Sequence, residues 1–228
     1  MARPIRIVQD GGVYHVLNRR VGRLPLFETD DDYAAFERVI DEACGAVPMR
    51  VLAYCLMPNH WHQVLWPRRG ADLSRFMQRL TVTHMRRWHA HRGTTGSGPL
   101  YQGRFKSFPV QDDRHLLTVG RYVERNALRA RLVHRAERWR WCSLWRREHS
   151  ALPQWLVAGD AWPVPLTDNW VELVNTVLTP AEEEAVRRSI RRGAPFGSDA
   201  WQRRAADRLH LQSSLRDPWR PRRAKKST

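Results

Sequence analysis

Acidic residues are sparse: 23 Asp and Glu stand against 39 Lys and Arg in 228 residues, leaving a formal net charge of +16 and a pI near 11.2. Almost all of the excess is arginine, whose planar fork matches phosphate oxygens, so the balance points to a polyanionic partner and first of all to nucleic acid. Cysteine is scarce too. Cys44, Cys55 and Cys142 are odd in number, widely spaced and set among apolar residues. That excludes a disulfide framework or a zinc knuckle and fits buried, reduced thiols. No apolar run approaches the ~20 residues of a membrane-crossing helix. The first residues, MARPIRIVQDGG, lack the apolar core of a secretory signal. The expected location is therefore the cytoplasm, with no membrane partner and with the nucleoid as the natural place for a basic protein. There is no internal repeat.

What is present reads as a mixed α+β chain. Tyr14 to Arg20 alternates as a first strand, and Gly22 and Pro25 mark a loop. Thr29 followed by Asp32 forms a capping box, and Tyr33, Phe36, Val39, Ile40 and Ala43 supply the apolar stripe of a helix. Met49 to Met57 reads as a largely buried strand, Pro58 and Asn59 as a turn, and His60 to Trp66 as the returning strand. A second helix is expected from Asp72 to about Arg92, with Leu73, Phe76, Met77, Leu80, His84 and Trp88 on one side. After the linker Gly93 to Pro99 comes a strand, Phe105 to Gln111, in which Pro109 requires an edge position or a bulge. One helix is then expected from Asp112 to Ala130. The order strand, helix, strand, strand, helix, strand, helix predicts a ferredoxin-like antiparallel sheet (βαββαβ) with helices on one face.

Beyond Arg131 the composition changes. Most of the eleven tryptophans lie after residue 138, among dense arginine, which suits either core packing or base stacking. Two more helices are expected. One starts at Thr179 and Pro180 and stops at Gly193, and the other is capped by Ser198 and runs from Asp199 to His210. The last stretch, DPWRPRRAKKST, is basic and interrupted by proline, the pattern of a segment that orders on a partner.

The strongest chemical clue is MPNHWHQVLW. His60 and His62 flank Trp61 in a strand, so both imidazoles leave the same face and can share one metal ion. Spacing alone favours the plainer readings, a chance pair or a polar strand face. On the third helix Tyr122 and Asn126 are one turn apart, with His115 and Val119 on the same stripe. A phenol, two imidazoles and a carboxamide around a metal would suit attack on a phosphodiester, with Asn126 as a third ligand and Tyr122 as nucleophile. Alternatively Tyr122 is a half-buried aromatic on an amphipathic helix. Arg121 and Arg125, its sequence neighbours, are expected to attract phosphate and favour phenolate, and Arg104 and Lys106 to touch backbone phosphates near the scissile bond.

These segments, YCLMPN before the histidine pair, QGRFKSF (Gln102 to Phe108), YVERNALRARLV (Tyr122 to Val133) and RRSIRRGAPFGSDAW (Arg187 to Trp201), resemble the HUH single-tyrosine transposases of insertion sequences. Within that group the chain looks most like the REP-associated tyrosine transposases. Ala127 stands where that family more often has proline.

The resemblance implies a catalytic domain over 1–133, a Trp- and Arg-rich helical extension over 134–212 and a disordered basic tail over 213–228. It implies Mg²⁺ or Mn²⁺ on His60, His62 and Asn126, and Tyr122 as the residue that takes up a 5′-phosphate. The implied substrate is single-stranded DNA at REP-type hairpins, handled by a monomer with no obligate protein partner. Two rivals remain at this level: a noncatalytic nucleic-acid-binding regulator with the same fold, and a phosphodiesterase that uses water while Tyr122 is structural.

Overall fold

A computed structural model describes residues 7–216. Four strands form one sheet: β1 (Val13–Arg19), β2 (Arg50–Met57), β3 (His60–Trp66) and β4 (Lys106–Val110). Their order is β2-β3-β1-β4 and every pairing is antiparallel. Two crossover helices, α1 (Asp30–Ala46) and α2 (Gly70–His91), complete the ferredoxin-like split βαβ pattern. α1 begins at the expected capping box: Asp32 N–H donates to Thr29 Oγ1, and Thr29 N–H donates to the Asp32 carboxylate. Pro109 sits in β4, at the sheet edge, where the missing N–H is least disruptive. The outer side of that strand is partly covered by Phe196, which donates to Pro109 and accepts from Gln111, both at 2.9 Å.

The sheet is covered on both faces, unlike the one-face arrangement read from element order. α1 and α2 bury the face carrying Tyr14, Val16, Tyr54, Leu56, Trp61 and Leu65. The other face carries Val13, Ala53, Cys55, Val64 and Phe108, and α3 (Arg114–Glu124) lies across it. The reason lies in β2, where every residue from Val51 to Met57 is buried. A strand apolar on both sides needs a cover on both sides.

The single helix expected over 112–130 is divided. α3 ends at Glu124 and α4 (Asn126–Arg129) follows, with Arg125 between them at φ −79°, ψ −3°. Arg125 N–H bonds to the carbonyls of both Arg121 and Val123, a tightened turn between the two helices. Asp113 caps α3 by accepting from His115 N–H.

The extension contributes α5 (Ser143–Glu148), α6 (Trp170–Asn175), α7 (Pro180–Arg192), α8 (Asp199–Arg208) and α9 (Gln212–Leu215). α7 and α8 match the caps read from sequence. α7 has the Thr179–Glu182 capping box and stops at Gly193, whose φ of 69° is left-handed. α5, α6 and α9 are too short to show a helical period, and α9 places part of the expected disordered tail in a helix. The rest of that tail, 217–228, lies outside the described residues.

Residues on both sides of 133/134 share both cores: Trp141, Trp155 and Leu156 join the first, and Leu144, Trp162, Trp170 and Val174 the second. Buried Glu124 ties them together. Its carboxylate accepts from Ser143 Oγ, from Arg147, and from Trp170 Nε1 at 2.7 Å. Ser143 Oγ in turn accepts from the β2 amide of Tyr54 at 3.0 Å. Four of the tryptophans after residue 138, Trp141, Trp155, Trp162 and Trp170, are thus core, which removes them as base-stacking surfaces.

Candidate active site

Alternation along β3 sends Trp61 into the first core and His60 and His62 to the second face, with ring centroids 5.0 Å apart. α3 crosses that face and brings the Tyr122 ring to 6.0 Å from His62, edge to face. Asn126 follows one helical turn later and is 1% exposed. Its Oδ1 accepts from Arg129 at 3.0 Å, while its buried Nδ2 has no partner among the described residues. Tyr122, His60, His62 and Asn126, four positions spread over 67 residues of sequence, therefore meet in one place.

Each histidine is held through Nδ1. Asn59 Nδ2 donates to the Arg23 carbonyl at 3.2 Å, which turns Asn59 Oδ1 toward His60 as an acceptor at 2.6 Å. His60 Nδ1 is then the protonated nitrogen, and Nε2 keeps its lone pair. His62 Nδ1 meets His15 Nε2 of β1 at 2.9 Å, and His15 stacks on Phe108 with centroids 4.7 Å apart. Metal-ligating imidazoles are commonly oriented this way, by a partner on the second nitrogen. Burial pushes His60 down to about 3, helped by the charges of Arg19 and Arg129. It drives His62 well below its ordinary value, with His60 and His15 adding to the effect. Both rings are neutral at physiological pH, the form that ligates metal.

Two neutral imidazoles fit a divalent cation through Nε2, His62 when its Nδ1–H donates to His15, and Asn126 would join them through Oδ1, the oxygen that here accepts from Arg129. No group of three or more His, Cys, Asp or Glu among the described residues is arranged to hold one, so an ion here would draw on Asn126 as well. The set has no carboxylate. Open coordination positions are left for water or phosphate oxygen.

The basic residues expected around the tyrosine are redistributed. Arg121 Nε donates to the Leu173 carbonyl at 3.0 Å, and Arg125 donates to the Asn175 carbonyl at 2.7 Å, so both are engaged by the C-terminal end of α6. The cation over the Tyr122 ring is Arg129, 4.5 Å from its centroid and paired with Glu183 of α7 at 3.2 Å. Arg19, the register partner of His60, is the second cation on this face. His115 stays at the start of α3, bonded to Asp113 at 2.6 Å. Arg104 and Lys106 are exposed at the sheet edge and line a groove of about 490 Å³ with Arg191, Arg192 and His210.

His15, Asn59, Arg19, Arg129 and Glu183 were not read from sequence. Arg129 carried a usable signal: it is seven residues after Tyr122, two helical turns along the same face.

The family model for IS200-like transposases matches residues 9–126, from just before β1 through Asn126. The chain belongs to the IS200-like transposase family. Membership makes it a DNA-processing protein of the transposase class, from a family that generally requires metal.

Two solved structures extend the comparison. A REP-associated tyrosine transposase bound to a REP hairpin is 16% identical, with a TM-score of 0.52 over 70% of this chain and 93% of that one, and it shares the fold. A putative transposase from Deinococcus radiodurans R1 is 15% identical, with a TM-score of 0.38 over 54% of this chain and 96% of that one. No curated protein matches. Among the described residues of this IS200-like transposase, no helix is long and apolar enough to cross a membrane.

Proposed function

We propose that this transposase cleaves and rejoins single-stranded DNA at REP-type hairpins through a 5′-phosphotyrosine on Tyr122. The observation that carries the reading is the approach of Tyr122 to His62, 6.0 Å between ring centroids within one chain. Tyr122 Oη attacks the phosphorus, and the bond from phosphorus to the 3′ oxygen breaks. The phenol releases its proton, and the departing oxygen takes one up as a 3′-OH. One phosphodiester is exchanged for another, so the reverse attack by a 3′-OH joins strands without a nucleoside triphosphate.

His60, His62 and Asn126 are the residues that would hold Mg²⁺ or Mn²⁺. When bound, such an ion supplies positive charge to the phosphate oxygens as the bond order changes. Asn59 and His15 orient the two imidazoles, and Arg129 sets the carboxamide of Asn126 and covers one face of the nucleophile's ring.

The hairpin substrate is supported by the REP hairpin bound to the similar transposase and by the net charge of +16. Arg104 and Lys106, exposed beside β4, are the proposed backbone contacts. Action as a monomer without an obligate protein partner is supported by the fact that one chain supplies the tyrosine, both histidines and the asparagine. The protein acts in the cytoplasm, at the nucleoid.

The test is incubation with Mg²⁺ and labelled single-stranded DNA bearing a REP-like hairpin, followed by a denaturing gel. A covalent adduct that disappears in Tyr122→Phe is expected. Cleavage without an adduct would assign the chemistry to water, and tight binding with neither would make the chain a noncatalytic regulator.

A further inference from the structure

Arg19 differs from the other half-buried arginines. Arg92 pairs with Asp32, Arg129 with Glu183, Arg146 with Glu37 and Arg147 with Glu124. Arg121 and Arg125 donate to the carbonyls of α6. Arg19 has no acceptor and no acidic partner among the described residues, and its Nε is buried and unpartnered. An unmatched guanidinium that is partly withdrawn from water is unfavourable, so a fold that keeps one leaves an anion site open.

Its position says which anion. β1 alternates so that His15, Leu17 and Arg19 share the face that carries His60 and His62. In register, Arg19 lies directly opposite His60. Arg19 carries its charge close enough to disfavour protonation of both His60 and His62, and Tyr122 lies within electrostatic reach of Arg19. Arg129 stands over the ring of that same tyrosine. The face between them therefore has a cation on β1, a cation on α4 and two neutral imidazoles, and the carboxylate at Arg129, Glu183, is already engaged by it.

We propose that Arg19 is a seat for the phosphate to be attacked, binding it opposite Arg129 so that the phosphorus is presented to Tyr122. This rests on the strand-transfer reading above and adds the residue that receives the reacting group. Arg19 offers several N–H donors in a plane, and a phosphate supplies the missing acceptors for its buried Nε. It also brings negative charge to a site otherwise held by neutral donors and arginine. Binding of DNA and binding of a divalent cation should then strengthen each other.

The test uses the full chain without metal, ¹³C-labelled on histidine, titrated with tungstate as a tetrahedral phosphate-like dianion and followed by the ring signals of His60 and His62. Those signals should shift and saturate in the parent. Arg19→Ala should weaken the response roughly 10- to 100-fold, the range expected for a charge-assisted contact. Arg19→Lys should restore part of it, and Arg38→Ala, at an exposed position of α1 on the other side of the sheet, should leave it unchanged. The proposal is overturned if Arg19→Ala titrates like the parent, or if the two histidine signals do not respond in the parent. Adduct assays keep the two ideas apart. An Arg19-dependent tungstate site with no adduct on any DNA would retire strand transfer and keep the phosphate seat. Equal adduct formation by the parent and Arg19→Ala would retire the seat and keep strand transfer.

Discussion

His15 on β1, whose register partner is Val64, reaches diagonally to His62 on β3, with Nε2 of one 2.9 Å from Nδ1 of the other. The contact occupies Nδ1 of His62, which leaves Nε2 as its other ring nitrogen. It also comes from a strand adjacent in the sheet but remote in sequence, so the central pair of strands jointly aims one imidazole.

His15→Phe keeps the stacking on Phe108 and removes the hydrogen bond. The expected result is a fall in Mn²⁺ affinity of roughly 10- to 100-fold, the usual penalty for losing such a support, with little change in melting temperature. Electron paramagnetic resonance titration measures the affinity. Unchanged binding would show that His62 is held by packing alone.

Stability should decline on acidification. His15, His60 and His84 are each lowered to about 3, chiefly by burial. His84 also meets the Tyr101 hydroxyl at 2.6 Å. Because the folded values lie below the unfolded value near 6.5, the unfolded chain binds more protons between those limits. Stability from these groups is therefore present above about pH 6.5 and is lost as pH falls toward 3, by about 1.4 kcal/mol per pH unit for each histidine. Urea unfolding at pH 7, 6 and 5 measures this, and a flat profile would contradict it.

Glu124→Gln keeps the shape of the buried junction and removes its charge. Arg147 is then left partly buried without its carboxylate, for which a loss of about 3–5 kcal/mol is expected. Differential scanning calorimetry should show a large drop in melting temperature. A shift of only a degree or two would mean that the junction tolerates a neutral amide.

Salt dependence separates the arginines. Each phosphate contact on single-stranded DNA contributes ~0.7 to the slope of log affinity against log salt. Arg104→Ala and Lys106→Ala should each lower the slope by about that amount. Arg121→Ala should leave it alone and instead loosen α3 from α6, seen as a lower unfolding midpoint. A slope reduced by Arg121→Ala would return that residue to the DNA surface.

The sheet was legible because its signals are local. Alternation in β1 and β3, the Thr29 and Thr179 capping boxes, and Pro109 at an edge each depend on neighbours within a few residues. The site was legible to the same extent: His60 with His62, and Tyr122 with Asn126, obey the periods of a strand and a helix. Arg121 and Arg125 were placed at the phosphate by adjacency in sequence. A helix turns each successive residue by about 100°, which swings Arg121 off the tyrosine's face, and both guanidiniums end at the carbonyls of α6.

By itself the sequence determined the order of the strands and their crossover helices, the basic character, the spacing of His60 with His62 and of Tyr122 with Asn126, and the family likeness, since periodicity, caps and composition are properties of short segments. Tertiary structure alone decided that the sheet is covered on both faces, that His15 supports His62, and that Glu183 of the extension steadies Arg129 beside the tyrosine. Each of these depends on strand register or on the packing of distant helices. Such contacts come from burying both sides of an apolar strand, and no local pattern encodes which partner arrives.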